Sequence, residues 1–135
     1  TVGDRVLECA TSNIFIVKDG TVITPDTDIL KGITRGVVLD LARADYPVEE
    51  RTVTIDEFLN ADEAFMTGTP FCMLPVTQLN GLPIGDGEIG NSFKSLLGCW
   101  SQNVGVDIEG QIKRWNATDA TSGSDAPTPY RFKKK

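Results

Sequence analysis

Three short stretches carry residues that could do chemistry. "ECATSN" (Glu8 to Asn13) sets a carboxylate in an apolar, strand-like surrounding. "KGITR" (Lys31 to Arg35) puts a glycine and a threonine at the head of an apolar stripe. That stripe is Ile33, Val37, Val38, Leu41 and Ala42, at offsets of four, five, eight and nine, the spacing of one helix face. "TGTP" (Thr67 to Pro70) supplies hydroxyls and a glycine that allows a sharp turn after a strand. The first turn of a helix carries unpaired N–H groups and a positive dipole end, so it can hold an anion. The N–H groups of Ile33 and Thr34, with the Thr34 hydroxyl, suit that role, and Gly32 lets a ligand approach the backbone. A phosphate there gains about 0.3–2 kcal/mol from the helix terminus. Each stretch also has a plainer reading: a capping threonine, a strand-ending turn, a glutamate facing water from an edge strand. An inward Glu8 needs a cationic or hydrogen-bonding partner, such as a protonated ring nitrogen.

The remaining composition narrows the chemistry. The chain has no histidine, which removes the commonest general base and every Ser-His or Cys-His pair. Its three cysteines, Cys9, Cys72 and Cys99, are far apart and form no CxxC pair, so no metal site is expected. They read as free thiols in a reducing, cytoplasmic compartment. No GxxxxGK[ST] occurs, which excludes a Walker phosphate loop. A net charge of −6 argues against sequence-independent nucleic-acid binding. No apolar run is long enough for a membrane-spanning helix. At 135 residues, one domain with a real core is expected.

These stretches must be positioned by strands and helices, and the pattern mixes the two. Val6 to Ala10 and the apolar run Ile14 to Val17 read as strands. Asp19-Gly20 is a hairpin turn before a return strand, Thr21 to Thr24. The helix from Ile33 runs to about Ala44, ahead of Pro47. Val48 to Thr54 reads as a half-exposed strand, followed by a short helix capped by Thr54 or Asp56. Glu63 to Thr67 is a strand, Phe71 to Leu79 is strand-like, and Asn80-Gly81 makes a second hairpin. A helix capped by Asn91 or Ser92 covers Phe93 to about Trp100. A last helical pattern puts Val104, Ile108, Ile112 and Trp115 on one side. Residues 117–135 read as a flexible tail with a basic end, "YRFKKK". The chain opens on an apolar strand without a lead-in element and reads as a truncated protein or one half of a larger one. The architecture expected is α/β, a mixed sheet or distorted barrel with helices packed outside.

Taken in order, the motifs form one pattern: "E-x-x-x-x-N-I-F-x-x-x-D-G", "I-L-x-G-I-T-R", "A-D-E-A-F-x-T-G-T", "P-V" and "I-G-D-G-x-x-G". The pattern resembles the C-terminal domain of class IV, fold-type IV pyridoxal phosphate enzymes. That family includes branched-chain and D-amino-acid aminotransferases and aminodeoxychorismate lyase. The resemblance covers Val6 to Gly90 and, more loosely, the chain to Trp115. It implies the large domain of that fold over residues 1–116, a distorted barrel-like mixed sheet.

The resemblance also implies a cofactor, pyridoxal 5'-phosphate, or a phosphate or sulfate ion standing in for it, and a role for each matching position. Glu8 would pair with the pyridine nitrogen, and Leu30 would pack on the ring face. Gly32, Ile33 and Thr34 would hold the phosphate, with Gly68 and Thr69 supplying a further contact. Asn13 reads as a structural turn residue. The parent enzyme would be a transaminase moving an amino group from a branched-chain-like or D-amino acid to a 2-oxo acid, working as a homo-oligomer, a dimer. An aminodeoxychorismate-lyase-like enzyme is one alternative, and a non-catalytic phosphate-binding or assembly domain is another.

Two departures bear on function. The family's Schiff-base lysine matches a position upstream of Thr1; Lys31 lies beside the phosphate loop but does not match it. The chain alone is therefore expected to be inactive. In the substrate carboxylate region, Pro70 follows Thr69 where aminotransferases of the family often present an N–H, and proline has none.

Overall fold

The computed structural model of the chain describes residues 1–121, and side chains as far as residue 114. The run Ile14 to Val17 lies inside β3 (Ser12–Lys18), the central strand of a six-stranded sheet. One edge of β3 pairs antiparallel with β7 (Glu63–Gly68), in the register Asn13↔Thr67 to Val17↔Glu63. The other edge is shared. Its start pairs with β2 (Glu8–Cys9) and its end with β4 (Thr21–Thr24). β5 (Val48–Glu50) adds in parallel to β4, and β8 (Cys72–Pro75) adds antiparallel to β7. β5 and β8 are the edges of an open sheet, so among the described residues the strands do not close into a barrel.

The unbroken apolar run follows from burial of both sheet faces. Phe15 and Val17 point to one side, with Phe65 and Met73, and meet Val38, Leu39 and Ala42 of α1 (Ile33–Asp45). The same layer takes in Phe93, Leu96 and Leu97 of α3 (Asn91–Val104) and Ile108 of α4 (Ile108–Thr121). Phe15 stacks on its register partner Phe65 with ring centroids 5.1 Å apart. Ile14, Ile16, Ile23 and Ala64 point to the other side and pack with Val53, Phe58, Ala61 and Ile84. A strand covered on both faces cannot alternate apolar with polar residues.

Several boundaries differ from the sequence reading, each for a local reason. The first expected strand divides in two. β1 (Arg5–Val6) pairs with β6 (Val53–Thr54), and β2 turns onto β3. The strand expected over Val48 to Thr54 divides likewise, where the Arg51 N–H bonds to the Thr24 carbonyl at 3.1 Å. Thr54, not Asp56, caps α2 (Ile55–Leu59) in a reciprocal box with Glu57. Phe71 to Leu79 splits into β8 and β9 (Gln78–Leu79), and β9 turns at Asn80-Gly81 into β10 (Leu82–Pro83). Both hairpin turns have positive φ at their two central residues, as the type I′ geometry requires.

Neither Asn91 nor Ser92 caps α3. Gly90 stands at the cap, and the Glu63 carboxylate of β7 accepts the N–H groups of Ser92 and Phe93, both at 2.9 Å. α3 runs on to Val104 and ends at Gly105 in the left-handed region (φ 66°). Val104 therefore closes α3 instead of opening the last helix. α4 extends to Thr121 and so takes in residues 117–121, the start of the expected tail. The rest of that tail, with its basic end, lies outside the described residues. Among the described residues, no helix is long and apolar enough to cross a membrane and no group of acidic, cysteine or histidine side chains could hold a metal ion.

Candidate functional site

β2 and β3 are joined by a two-residue turn, Ala10-Thr11, which sets Glu8 opposite Asn13. The loop after β4 passes over this corner before entering α1. The Leu30 N–H donates to both oxygens of Glu8, at 3.2 and 3.1 Å. Asn13 Nδ2 donates to Glu8 Oε2 at 3.1 Å and to the Leu30 carbonyl at 2.7 Å, and its Oδ1 accepts the Gly32 N–H at 3.3 Å. Glu8 is exposed as a residue, yet its carboxylate has a fixed direction and keeps lone pairs free, since a carboxylate can accept about four hydrogen bonds.

The start of α1 is bare. Gly32 occupies the cap with extended backbone (φ −62°, ψ 147°), no side chain caps the helix, and its first turn holds no acidic residue. The N–H groups of Ile33 and Thr34 therefore have neither an intrahelical acceptor nor a counter-charge. Ile33 is not part of the core stripe. It is 89% exposed, and α1 buries Arg35, Val38, Leu39 and Ala42 instead, at offsets of three, four and seven. Arg35, the third residue of the helix, is 3% exposed. Its Nη2 donates to the Pro25 carbonyl at 2.8 Å and to Glu50 Oε2 at 2.9 Å. Burial works against ionised Glu50, but the bond from Arg35 and the charges of Arg35, Arg43 and Lys31 outweigh it, so its carboxyl lies below the usual value. The first turn thus carries a buried cation where an ordinary helix favours an acid.

The β7–β8 hairpin closes the third side. Its positive φ falls on Cys72 (60°), not on Gly68. The Phe71 ring packs on Gly68: a Cβ there would stand 2.8 Å from Phe71 Cζ, so the ring would have to move aside. The turn itself starts at Gly68, whose carbonyl accepts the Phe71 N–H at 3.3 Å, and only the left-handed backbone falls elsewhere, on Cys72.

These three corners surround one cavity of about 400 Å3, within the size range of small-molecule sites. Glu8, Leu30, Gly32, Ile33, Thr34, Gly68 and Thr69 all line it, and Pro70 does not. Lys31 lines it as well and supplies its one lysine. Asn13 and Thr67 also line it, and the sequence reading gave neither a binding role. Thr67 is 1% exposed, and its hydroxyl is buried with no hydrogen-bond partner. The register pair Asn13↔Thr67 was accessible in principle, because residues opposed across β3 and β7 share a face.

The lining of the cavity offers two opposite chemistries. A fixed carboxylate faces it at Glu8, and an uncapped helix start faces it at Ile33 and Thr34. The exposed apolar side chains of Leu30 (75%) and Ile33 line the cavity as well. An occupant with an anion at one end, an N–H at the other and a flat body between would meet every one of these groups. It would also sit against the wall that carries the orphaned Thr67 hydroxyl. A pyridine ring bearing a phosphate has that form.

Comparison with known proteins agrees in kind. The family described as amino-transferase class IV matches residues 2–79. A D-alanine aminotransferase of Listeria monocytogenes is 40% identical over 91 residues, covering 65% of this chain and 32% of that protein. A probable branched-chain-amino-acid aminotransferase of Aquifex aeolicus is 40% identical over 114 residues, covering 82% of this chain and 36% of that protein. The crystal structure of a branched-chain amino acid aminotransferase from Thermobaculum terrenum, in its PLP-bound form, superposes with a TM-score of 0.70 at 34% identity. That superposition covers 78% of this chain and 36% of the other. The chain spans about a third of the length of the curated relatives it matches.

Proposed function

The chain belongs to the class IV aminotransferases, and from that premise we propose that its cavity holds pyridoxal 5'-phosphate as the cofactor-binding portion of a transaminase. The observation that carries the proposal is that Glu8 and the start of α1, from separate elements, line one cavity together with the apolar side chains of Leu30 and Ile33. In this reading the N–H groups of Ile33 and Thr34 bind the phosphate, with the hydroxyls of Thr34 and Thr69. Gly32 leaves the approach open, and Gly68 keeps Phe71 tucked beneath the hairpin. Leu30 lies on one face of the ring. Glu8, held by the Leu30 N–H and the Asn13 amide, takes the N–H of the pyridine nitrogen and keeps that nitrogen protonated.

The bound cofactor supplies an electron sink for moving an amino group between an amino acid and a 2-oxo acid. What this chain contributes is binding and orientation. A charge-assisted bond at Glu8 stabilises the protonated ring by about 1.5–3 kcal/mol. Lys31 is placed beside the phosphate end and is not assigned the Schiff-base role, so the isolated chain binds the cofactor without transaminating. The relatives favour a transaminase over a lyase, since those compared carry aminotransferase names.

Calorimetric titration with pyridoxamine 5'-phosphate tests the reading, because this ligand needs no lysine to bind. Saturable binding, weakened about tenfold or more in E8A, is the expected result. Binding that is absent, or indifferent to E8A and to added inorganic phosphate, would overturn it.

A further inference from the structure

We infer that Asn13 is a positioning residue that couples the two ends of the cavity, so that the Glu8 carboxylate and the start of α1 hold their places together. The inference rests on the cofactor reading above but concerns a side chain to which that reading gives no ligand contact. Asn13 is 5% exposed, on the sheet's central strand. Its one amide group serves three partners: Glu8 Oε2, the Leu30 carbonyl and the Gly32 N–H, at 3.1, 2.7 and 3.3 Å. The first belongs to the carboxylate at the ring end. The third is the cap of the helix at the phosphate end. The second lies in the loop between them.

The chemistry of the arrangement is specific to an amide. Both donor contacts go to acceptors, and the acceptor contact comes from a donor. A carboxylate at this position keeps the bond from Gly32 but sets an anion against Glu8 and against the Leu30 carbonyl. With Asn13 itself buried, that opposition displaces the loop and turns the exposed Glu8 away. One change, at a residue touching neither the ring nor the phosphate, should then weaken recognition of both.

The order of donor and acceptor can also be inverted. In E8Q/N13D the glutamine amide can donate to the aspartate, restoring the bond with its direction reversed and removing the like-charge pair. A residue that merely fills space would give additive effects in such a cycle.

The test uses the full chain and three probes in calorimetry: pyridoxamine 5'-phosphate, inorganic phosphate for the helix end, and pyridoxamine for the Glu8 end. N13D should weaken all three by about tenfold or more. E8Q/N13D should recover part of the inorganic phosphate affinity lost in N13D, about threefold or more, while the contact to the Leu30 carbonyl stays unrestored. If N13D unfolds before binding can be read, the same cycle is followed in melting temperature, where E8Q must raise the Tm of N13D. Loss at only one end, or an additive cycle, overturns the role of Asn13 while leaving the cofactor reading intact. Failure of the unaltered chain to bind pyridoxamine 5'-phosphate overturns both.

Discussion

A methyl group on Gly32 would stand 2.6 Å from Oδ1 of Asn13. The backbone at Gly32 (φ −62°, ψ 147°) suits any residue, so proximity and not conformation demands the glycine. Alanine there cannot be absorbed by a free swing of Asn13, because that amide is buried and holds three partners. G32A should destabilise the chain by about 1–3 kcal/mol. It should also weaken pyridoxamine 5'-phosphate at least as much as E8A does. Urea unfolding and calorimetry check the two effects; a variant with unaltered affinity would mean that the loop can retreat without harm to the cavity.

Glu63 offers a contrast on the same strand as Thr67. Its carboxylate replaces the missing cap of α3, accepting two backbone N–H groups, and Gly90 has no room for a side chain because Glu63 fills that space. E63A should remove about 1–2 kcal/mol, lowering Tm by roughly 3–4 °C per kcal/mol in a domain near this size. Glu63 does not line the cavity, so ligand affinity measured well below the transition should not follow. A loss of affinity equal to that of G32A would tie α3 to the site in a way the hydrogen bonds do not.

The sequence made the site more legible than the packing. Turns announced themselves: Asp19-Gly20 and Asn80-Gly81 both have the left-handed backbone that their residue types favour. The seven residues proposed to bind cofactor come from three short motifs, and all of them line one cavity once the loop after β4 has bonded to Glu8. Ile33 belongs to the apolar stripe of α1 in sequence but not to the core, because hydrophobicity does not say whether an apolar residue faces a core or a ligand cavity. Arg35 was passed over because burial of a guanidinium depends on partners, Pro25 and Glu50, that lie 10 and 15 residues away. The cap of α3 was missed for the same reason, since its carboxylate comes from another element. Asn13 looked like a turn residue because its three partners meet only after the β4–α1 loop has closed over β2.

Acid should weaken the fold through a defined set of carboxylates. Glu57 is held below its usual 4.5 by the Thr54 N–H and, against the cost of burial, by Arg51. Asp62 is held below its usual 3.8 by the Asp19 N–H and by Lys18. In Glu50 burial pulls the other way, but Arg35 and Arg43 prevail. Folded values below the unfolded ones mean that the unfolded chain binds more protons in this range, so stability rises with pH. The contribution is complete above the ordinary carboxylate range and is lost as pH falls through the folded values. Urea midpoints should therefore hold steady from about pH 7 to pH 5 and decline below about pH 4. E57Q should flatten that decline modestly, since these pairs are partly exposed. An unchanged slope in E57Q would place the acid sensitivity elsewhere.

Thr67 gives a prediction with opposite signs in the two states of the protein. Its hydroxyl is buried without a partner in the wall of the cavity, and a buried unsatisfied polar group costs about 1–3 kcal/mol. Valine keeps the branched shape and the strand preference while removing the hydroxyl. In the ligand-free chain T67V should therefore match or exceed the unaltered protein in Tm. In the proposed reading, bound pyridoxamine 5'-phosphate gives the hydroxyl a hydrogen-bond partner, by direct contact or through an ordered water. The ligand-induced rise in Tm should then be smaller in T67V than in the unaltered chain. Differential scanning calorimetry at several ligand concentrations separates the two effects, because linkage makes the second depend on concentration and the first not. A fall in ligand-free Tm with an undiminished ligand shift would assign the hydroxyl to the folded core and remove it from the site.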